Sequence, residues 1–243
     1  MRYGGRIVFC LVGVIGLIGA SALASPARAE GPSAAHADNR WYFAASGGVY
    51  LREDQSGSTT ITNGITTAPG TQNESFDPGP IANVSVGYKI PSHFRIEGEF
   101  GFATYKPNQV SPVSSGFPGL TGQSFKLKSG GITDRYTATV NAFYDFHVRG
   151  HFVPHLGAGV GGAYNHDTQA TFQDASGNTF VQFAPGDGWN TDGIALLEAG
   201  LNITASDKWS IVPAYRYLRF FAASNHFGDE GGHIFKIGLR YSF

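Results

Sequence analysis

The chain has 243 residues, 34 of them glycine, with 14% aromatic and 14% charged residues and a formal net charge of −1. The glycines follow no period of three, which excludes collagen, and 42% hydrophobic content with 19 Phe, 11 Tyr and 3 Trp is too much apolar surface for a solvated coil. Past the N-terminus no run reaches the ~20 apolar residues that a spanning helix needs, which leaves a Gly- and aromatic-rich β protein.

Arg2 and Arg6 precede the apolar stretch from Ile7 to Ala20, and small residues follow with two Ala-x-Ala sites, Ala22-Leu23-Ala24 and Ala27-Arg28-Ala29. A basic start, a short apolar middle and a small-residue exit predict a secretory signal peptide over 1–29, cleaved after Ala24 or Ala29. Cys10, with Val8-Phe9 before it, does not resemble a lipoprotein box. Cleavage after Ala29 removes three of the 17 Lys and Arg and leaves 14 against 18 Asp and Glu, a net charge of −4. The mature chain then has neither Cys nor Met, so no disulfide supports the fold. Its mild acidity argues against a nucleic-acid partner, which calls for a basic face. Residues 30–39 are polar and rich in Ala and Gly and read as a flexible lead-in.

From Trp41 onward one pattern repeats, with apolar and polar residues alternating as side chains do along a strand. In the first segment, Trp41–Leu51, Trp41, Phe43, Val49 and Leu51 face away from Ala44, Ser46 and Gly48. Next, Ala82, Val84, Val86, Tyr88 and Ile90 oppose Asn83, Ser85, Gly87 and Lys89. In Phe94–Tyr105, Phe94, Ile96, Phe100 and Phe102 oppose Arg95, Glu97 and Glu99. In Tyr136–Phe146, the apolar face from Tyr136 to Phe146 opposes Thr137, Thr139, Asn141 and Asp145. Leu156, Ala158, Val160 and Tyr164 then oppose His155, Gly157, Gly159 and Gly161. Ala195, Leu197, Ala199, Leu201 and Ile203 oppose Asp192, Glu198, Gly200 and Asn202. Trp209, Ile211, Tyr215 and Tyr217 oppose Ser210, Ala214 and Arg216. In the last segment, Phe235, Ile237, Leu239, Tyr241 and Phe243 oppose Ile234, Lys236, Gly238, Arg240 and Ser242.

Eight segments of about 10–12 residues have the length of tilted transmembrane strands. Three features favour a membrane barrel over a soluble sandwich. Charges sit at mid-segment on one face only, while the other is nearly free of them. Aromatics (Trp41, Tyr88, Phe94, Tyr105, Tyr144, Tyr164, Trp209, Tyr217 and Tyr241) concentrate near segment ends, as interfacial girdles require. Connections alternate long and short: long over about 52–78, 106–134 and 165–190, and short at Pro91-Ser92-His93 and about 147–151 and 204–208. The expected fold is therefore all-β, an eight-stranded antiparallel up-and-down transmembrane β-barrel over 40–243 with long extracellular loops and short periplasmic turns. The long loops, such as Ser56 to Thr60 and Pro112 to Gly122, read as mobile and solvated. An immunoglobulin-like periplasmic sandwich is the alternative, and protection of Lys126 and Lys128 from trypsin on intact cells would speak for it.

Eight strands leave an interior just wide enough to fill with side chains. Lys89, Arg95, Arg216, Lys236 and Arg240 face it with Glu97, Glu99, Asp145 and Glu198, nearly balanced charges that predict a plugged barrel with an internal salt-bridge network. Glycines such as Gly157, Gly159 and Gly161 are expected to make room for those long side chains.

Arg95-Ile96-Glu97-Gly98-Glu99, Pro154-His155-Leu156-Gly157-Ala158-Gly159-Val160-Gly161, Pro213-Ala214-Tyr215-Arg216-Tyr217 and Gly238-Leu239-Arg240-Tyr241-Ser242-Phe243 resemble the small eight-stranded outer-membrane barrels, the OmpA-type transmembrane domains and the opacity and surface-antigen porin-like proteins. The resemblance covers essentially the whole mature chain and implies the outer membrane of a Gram-negative bacterium. It also implies contact with outer-membrane lipid and lipopolysaccharide, and an extracellular ligand held by the loops. Phe235, Ile237, Leu239, Tyr241 and Phe243 resemble the terminal signal read by the outer-membrane assembly machinery. Family members serve as envelope-stabilising proteins, adhesins, surface antigens or low-conductance pores. A non-enzymatic structural or interaction barrel is the leading expectation, and a porin-like pore for small solutes the alternative.

Other chemistry is weaker. Gly157 to Gly162 matches G-x-G-x-x-G, but no helix opens there and no ribose-binding acid follows. His147, His151 and His155 would align metal ligands only on a helix, which Gly150 and Pro154 break. Ser224, Asn225, His226, Asp229, Glu230 and His233 could supply a nucleophile, base and acid. A lipid A deacylase resemblance, however, wants a histidine where Ala222 stands. No cofactor, metal or catalytic residue is expected.

Overall fold

The computed structural model describes residues 40–62, 67–116, 121–146, 151–177, 179–182, 188–222 and 230–243. The expected signal peptide and lead-in lie outside them. The strands are β1 (Trp41–Arg52), β2 (Gln55–Thr62), β3 (Thr67–Phe76), β4 (Gly79–Lys89), β5 (Phe94–Tyr105), β6 (Pro107–Ser115), β7 (Phe125–Gly130), β8 (Thr133–Asp145), β9 (Phe152–Asp167), β10 (Ala170–Gln173), β11 (Thr179–Gln182), β12 (Gly188–Thr204), β13 (Trp209–Ala222) and β14 (Glu230–Ser242).

Eight of them close a barrel in the order β1-β14-β13-β12-β9-β8-β5-β4. Every pair is antiparallel, and β1 closes the ring by pairing with both β14 and β4. Closure satisfies the backbone polar groups that a bilayer cannot hydrate. Among the described residues no helix is long and apolar enough to cross a membrane.

The period-2 pattern decides which face each residue takes. Phe100, Val140, Val160, Leu197 and Ile237 all point outward and are more than 60% exposed, Phe100 reaching 69%. Such apolar exposure on a barrel wall is stable only against lipid. A girdle of rings marks the short-turn end: Trp41 on Tyr88 at 4.9 Å, Phe94 on Tyr144 at 5.1 Å and Trp209 on Tyr241 at 4.9 Å. Toward the other end Tyr164 stacks on Trp189 at 4.4 Å, and Tyr136 packs on Phe102 at 5.1 Å. Tyr105 is not part of a girdle. It shares the parity of Arg95 and Ala103, is buried inside, and packs edge-on against Tyr50 at 5.3 Å.

Three of the long connections are not solvated coils. Their hairpins β2–β3, β6–β7 and β10–β11 join edge to edge in a six-stranded sheet of order β11-β10-β7-β6-β3-β2. The barrel strands also run longer than expected, to 16 residues in β9 and 17 in β12. At ~3.3 Å per residue these strands span roughly 50 Å, well past an apolar band of ~25 Å. The hairpins continue the wall across described breaks of one or two residues, and pairing persists there through Asp77 N–H to the Lys106 carbonyl (3.0 Å) and Gly131 N–H to the Gln169 carbonyl (3.0 Å). Val110, Phe125, Ala170 and Phe172, with Leu127 beside them, form an apolar cluster on one face of this sheet. Alternation of Phe125 and Leu127 with Lys126 and Lys128 carried the signal in the sequence. Stacked hairpins bury that apolar set and satisfy backbone groups that a coil would leave to water.

The Pro91-Ser92-His93 turn between β4 and β5 places Ser92 at φ 81° and His93 at φ 72°. This left-handed pair is the conformation that Asn-Gly serves best in a tight hairpin.

Candidate functional site

The barrel interior is built in two layers. Near the short-turn end, residues of one parity on β1, β4, β5, β8, β9, β12, β13 and β14 bring charges together. Arg95 Nε donates to Asp145 Oδ1 at 3.1 Å, its Nη1 to the Tyr42 hydroxyl at 3.2 Å, and its guanidinium lies 4.0 Å over the Phe143 ring. Tyr42 in turn donates to Glu97 Oε2 at 2.8 Å, so Arg95, Tyr42 and Glu97 form one hydrogen-bonded unit. Deeper in, Arg216 donates through Nε to Glu198 Oε2 at 2.8 Å and through both η nitrogens to Glu99. Lys236 Nζ lies 2.9 Å from Glu198 Oε2 and 3.4 Å from Glu99 Oε2. His155 Nε2 is 3.3 Å from Glu198 Oε1.

Two of the nine expected interior charges stand apart from these pairs. Lys89, at the short-turn mouth, donates to Ser242 Oγ at 3.0 Å. Arg240 is 3% exposed and lies 4.6 Å over the Tyr42 ring, with no carboxylate within ion-pair distance among the described residues.

The second layer, toward the hairpin sheet, is mainly apolar: Tyr50, Ile81, Ala103, Ile194, Leu196, Leu218, Phe220 and Ile234 are all buried inside the ring. One cation enters it. Arg135 lies 3.9 Å over the Phe220 ring and donates to Asn165 Oδ1 at 2.6 Å and to the Tyr50 hydroxyl at 3.1 Å. Asn165 passes the contact on to Asp192 Oδ2 at 2.7 Å. Above this, Arg52 lies 3.8 Å over Phe76 and donates to Gln55 Oε1 at 2.7 Å. The sequence pattern does not single out Arg135, which lies just before the apolar alternation beginning at Tyr136; its shared parity with Thr137 and Thr139 is the available signal.

Among the described residues the interior holds cavities of about 20 and about 30 Å³, each room for one or two water molecules. Glycines allow this density: Gly48 lies against Lys236, while Gly157 and Gly159 do not lie against charged side chains. A Cβ at Gly157 would overlap the Phe143 ring, and one at Gly159 the Asn141 side chain. They therefore seat uncharged neighbours on β8.

The remaining candidates scatter. His155 is in the interior, His151 is exposed at a turn, and His147 lies outside the described residues. Among the described residues no group of three or more His, Cys, Asp or Glu could hold a metal ion. Ser224, Asn225, His226 and Asp229 also lie outside the described residues, as does Ala223. Their neighbour His233 bonds Tyr215 through Nδ1 at 2.7 Å and faces Glu53 Oε1 across 3.2 Å. Phe235, Ile237, Leu239, Tyr241 and Phe243 line the lipid side of β14 and the residue after it.

The model of the family described as outer membrane protein beta-barrel domain matches residues 13–243. Among solved structures, Neisserial surface protein A aligns at 16% identity with a TM-score of 0.44, covering 84% of this chain and 97% of that one. Ail, the attachment invasion locus protein of Yersinia pestis, crystallised with the heparin analogue sucrose octasulfate, aligns at 13% identity with a TM-score of 0.37, over 84% and 99%. The outer membrane protease OmpT from Escherichia coli aligns at 6% identity with a TM-score of 0.43, over 87% and 99%. No curated protein matches the chain significantly. With a closed eight-stranded ring, a lipid-facing apolar wall and a family match spanning nearly its whole length, the chain belongs to the outer membrane protein β-barrel family and resides in the outer membrane.

Proposed function

We propose that this protein is a non-enzymatic barrel with a closed interior, acting in envelope structure or in surface contacts through its extracellular hairpin sheet. The observation that carries the reading is the packing of the interior. Among the described residues a charged layer and an apolar layer fill the ring, with cavities of about 20 and about 30 Å³ beside them. A solute path would need a continuous water-filled passage instead. The exposed side chains of the hairpins, including Lys126 and Lys128, would meet an extracellular ligand, while the outer wall meets lipid and lipopolysaccharide. The outward row ending in Phe243 would be read by the assembly machinery. Single-channel recording in a planar bilayer tests the closed interior: inserted protein is expected to be silent, and discrete reproducible steps would make it a porin-like pore.

A further inference from the structure

The lipid-facing wall is not evenly covered. Across β8, β9 and β12 a groove of about 560 Å³ opens on its outer side, a volume in the range of sites that hold small molecules. Ala142, Ala158 and Ala195 form its floor, and Val140, Val160 and Leu197, each more than 60% exposed, stand up around them. Ile96 on β5 lies at one end, and Arg219 on β13, with Tyr217 beside it, at the other. Among the described residues Arg219 is the one Arg or Lys of outward parity on the eight barrel strands.

Pairing register fixes the depth of that cation. From Trp209 in the short-turn girdle, the line of directly paired residues runs through Tyr241, Phe43 and Val86 and on across β5, β8, β9 and β12. It returns to β13 at Arg219, ten residues beyond its start. Ten residues rise ~33 Å along a strand, and at a tilt of about 40° that is ~25 Å along the barrel axis, the height of the apolar band. Trp209 marks the periplasmic border of the hydrocarbon, so Arg219 stands at the extracellular border, where an outward charge costs little. The same offset makes every paired row climb toward β13. Ile96, Ala142, Ala158, Leu197 and Tyr217 form one such row, so the groove descends from Arg219 into the hydrocarbon as it crosses to β5.

We propose that this groove holds an acyl chain of one lipopolysaccharide molecule of the outer leaflet, whose lipid A phosphate is bound by Arg219. A guanidinium at headgroup level matches a phosphate in charge and geometry, and an apolar channel below it matches a chain hanging from the same molecule. The site rests on the reading that the outer wall meets lipopolysaccharide, and gives that contact a fixed position.

Native mass spectrometry of the detergent-folded protein with added lipid A tests the site. One lipid A molecule is expected to stay bound, and Arg219→Gln should weaken its retention about tenfold or more through loss of a charge-assisted phosphate contact. Ala158→Trp, which fills the groove and leaves Arg219 in place, should weaken it too, whereas Val84→Trp on β4, across the ring from β12, should not. Dephosphorylated lipid A and phosphatidylglycerol should bind the unaltered protein more weakly than lipid A. No retained lipid A, or equal retention by Arg219→Gln or Ala158→Trp, overturns the site. Equal binding of dephosphorylated lipid A removes the phosphate contact, and equal binding of phosphatidylglycerol makes the occupant a phospholipid; either overturns the proposal. The wall's general contact with lipopolysaccharide is read separately, by insertion of the same protein into vesicles containing it. Should a variant fail to fold, the preference of the unaltered protein among the three lipids decides.

Discussion

Glu99 and Arg216 lie 117 positions apart and join in a two-pronged ion pair, both η nitrogens of Arg216 donating to both carboxylate oxygens of Glu99. β5 and β13 are diametrically opposite in the ring, with three strands between them on either side. The pair therefore spans the lumen rather than a strand seam. Arg216 also holds Glu198, its direct cross-strand partner on β12, so one guanidinium ties three strands together. Removing one member of a buried pair leaves an uncompensated charge. Glu99→Gln should lower stability by about 3–5 kcal/mol, read as a shift in the urea midpoint at unchanged slope.

Arg135 serves a different layer. Its planar fork reaches Asn165 and Tyr50 while its face covers Phe220, a combination that an ammonium cannot reproduce. Arg135→Lys should cost about 2 kcal/mol, despite the retained charge, in the same urea titration.

Gly87 faces the Tyr42 ring so closely that any Cβ would overlap it. Tyr42 is 0% exposed and links Arg95 to Glu97, so displacing it disturbs both. Gly87→Val should destabilise by about 1–3 kcal/mol from overpacking, with a larger loss if the Tyr42 bonds break. Differential thermal unfolding of the pair of proteins checks this.

At the β4–β5 turn the strain is local. Ser92 occupies φ 81° with a Cβ in place, and glycine adopts that region freely. Ser92→Gly should raise stability by roughly 1 kcal/mol, seen as a higher thermal midpoint.

The hairpin sheet changes what protease protection means. Lys126 and Lys128 are exposed, yet they lie in β7, which pairs with β6 and β10. Slow tryptic cleavage on intact cells is thus expected of the folded barrel and no longer speaks for a periplasmic sandwich. Phe172, fully buried in the apolar cluster of that sheet, is the place to open it. Phe172→Asp should speed cleavage at both lysines at least about tenfold, as loss of ~1.4 kcal/mol or more of local stability implies. The folded barrel band on an unheated gel should persist.

Much of this molecule is legible in the one-dimensional pattern. Alternation is a local property of an extended backbone, so the parity of Arg95, Glu97 and Glu99 against Ile96 and Phe100 assigns interior and lipid faces without any partner strand. The long and short connections assign the two ends in the same way. Parity also reaches Tyr105 and Phe125, although ring position alone would put Tyr105 in a girdle and the Ser, Thr and Gly around Phe125 resemble a loop. Tertiary structure decided which interior groups meet. Glu99 finds Arg216, Arg95 finds Tyr42, and Arg240 finds no acid, because those distances depend on how far each strand is staggered around the closed ring. Stagger is set by eight pairings at once and by the hairpins above them. No single segment encodes it, and so the sequence by itself names the charges inside the barrel while closure alone decides which of them is left over.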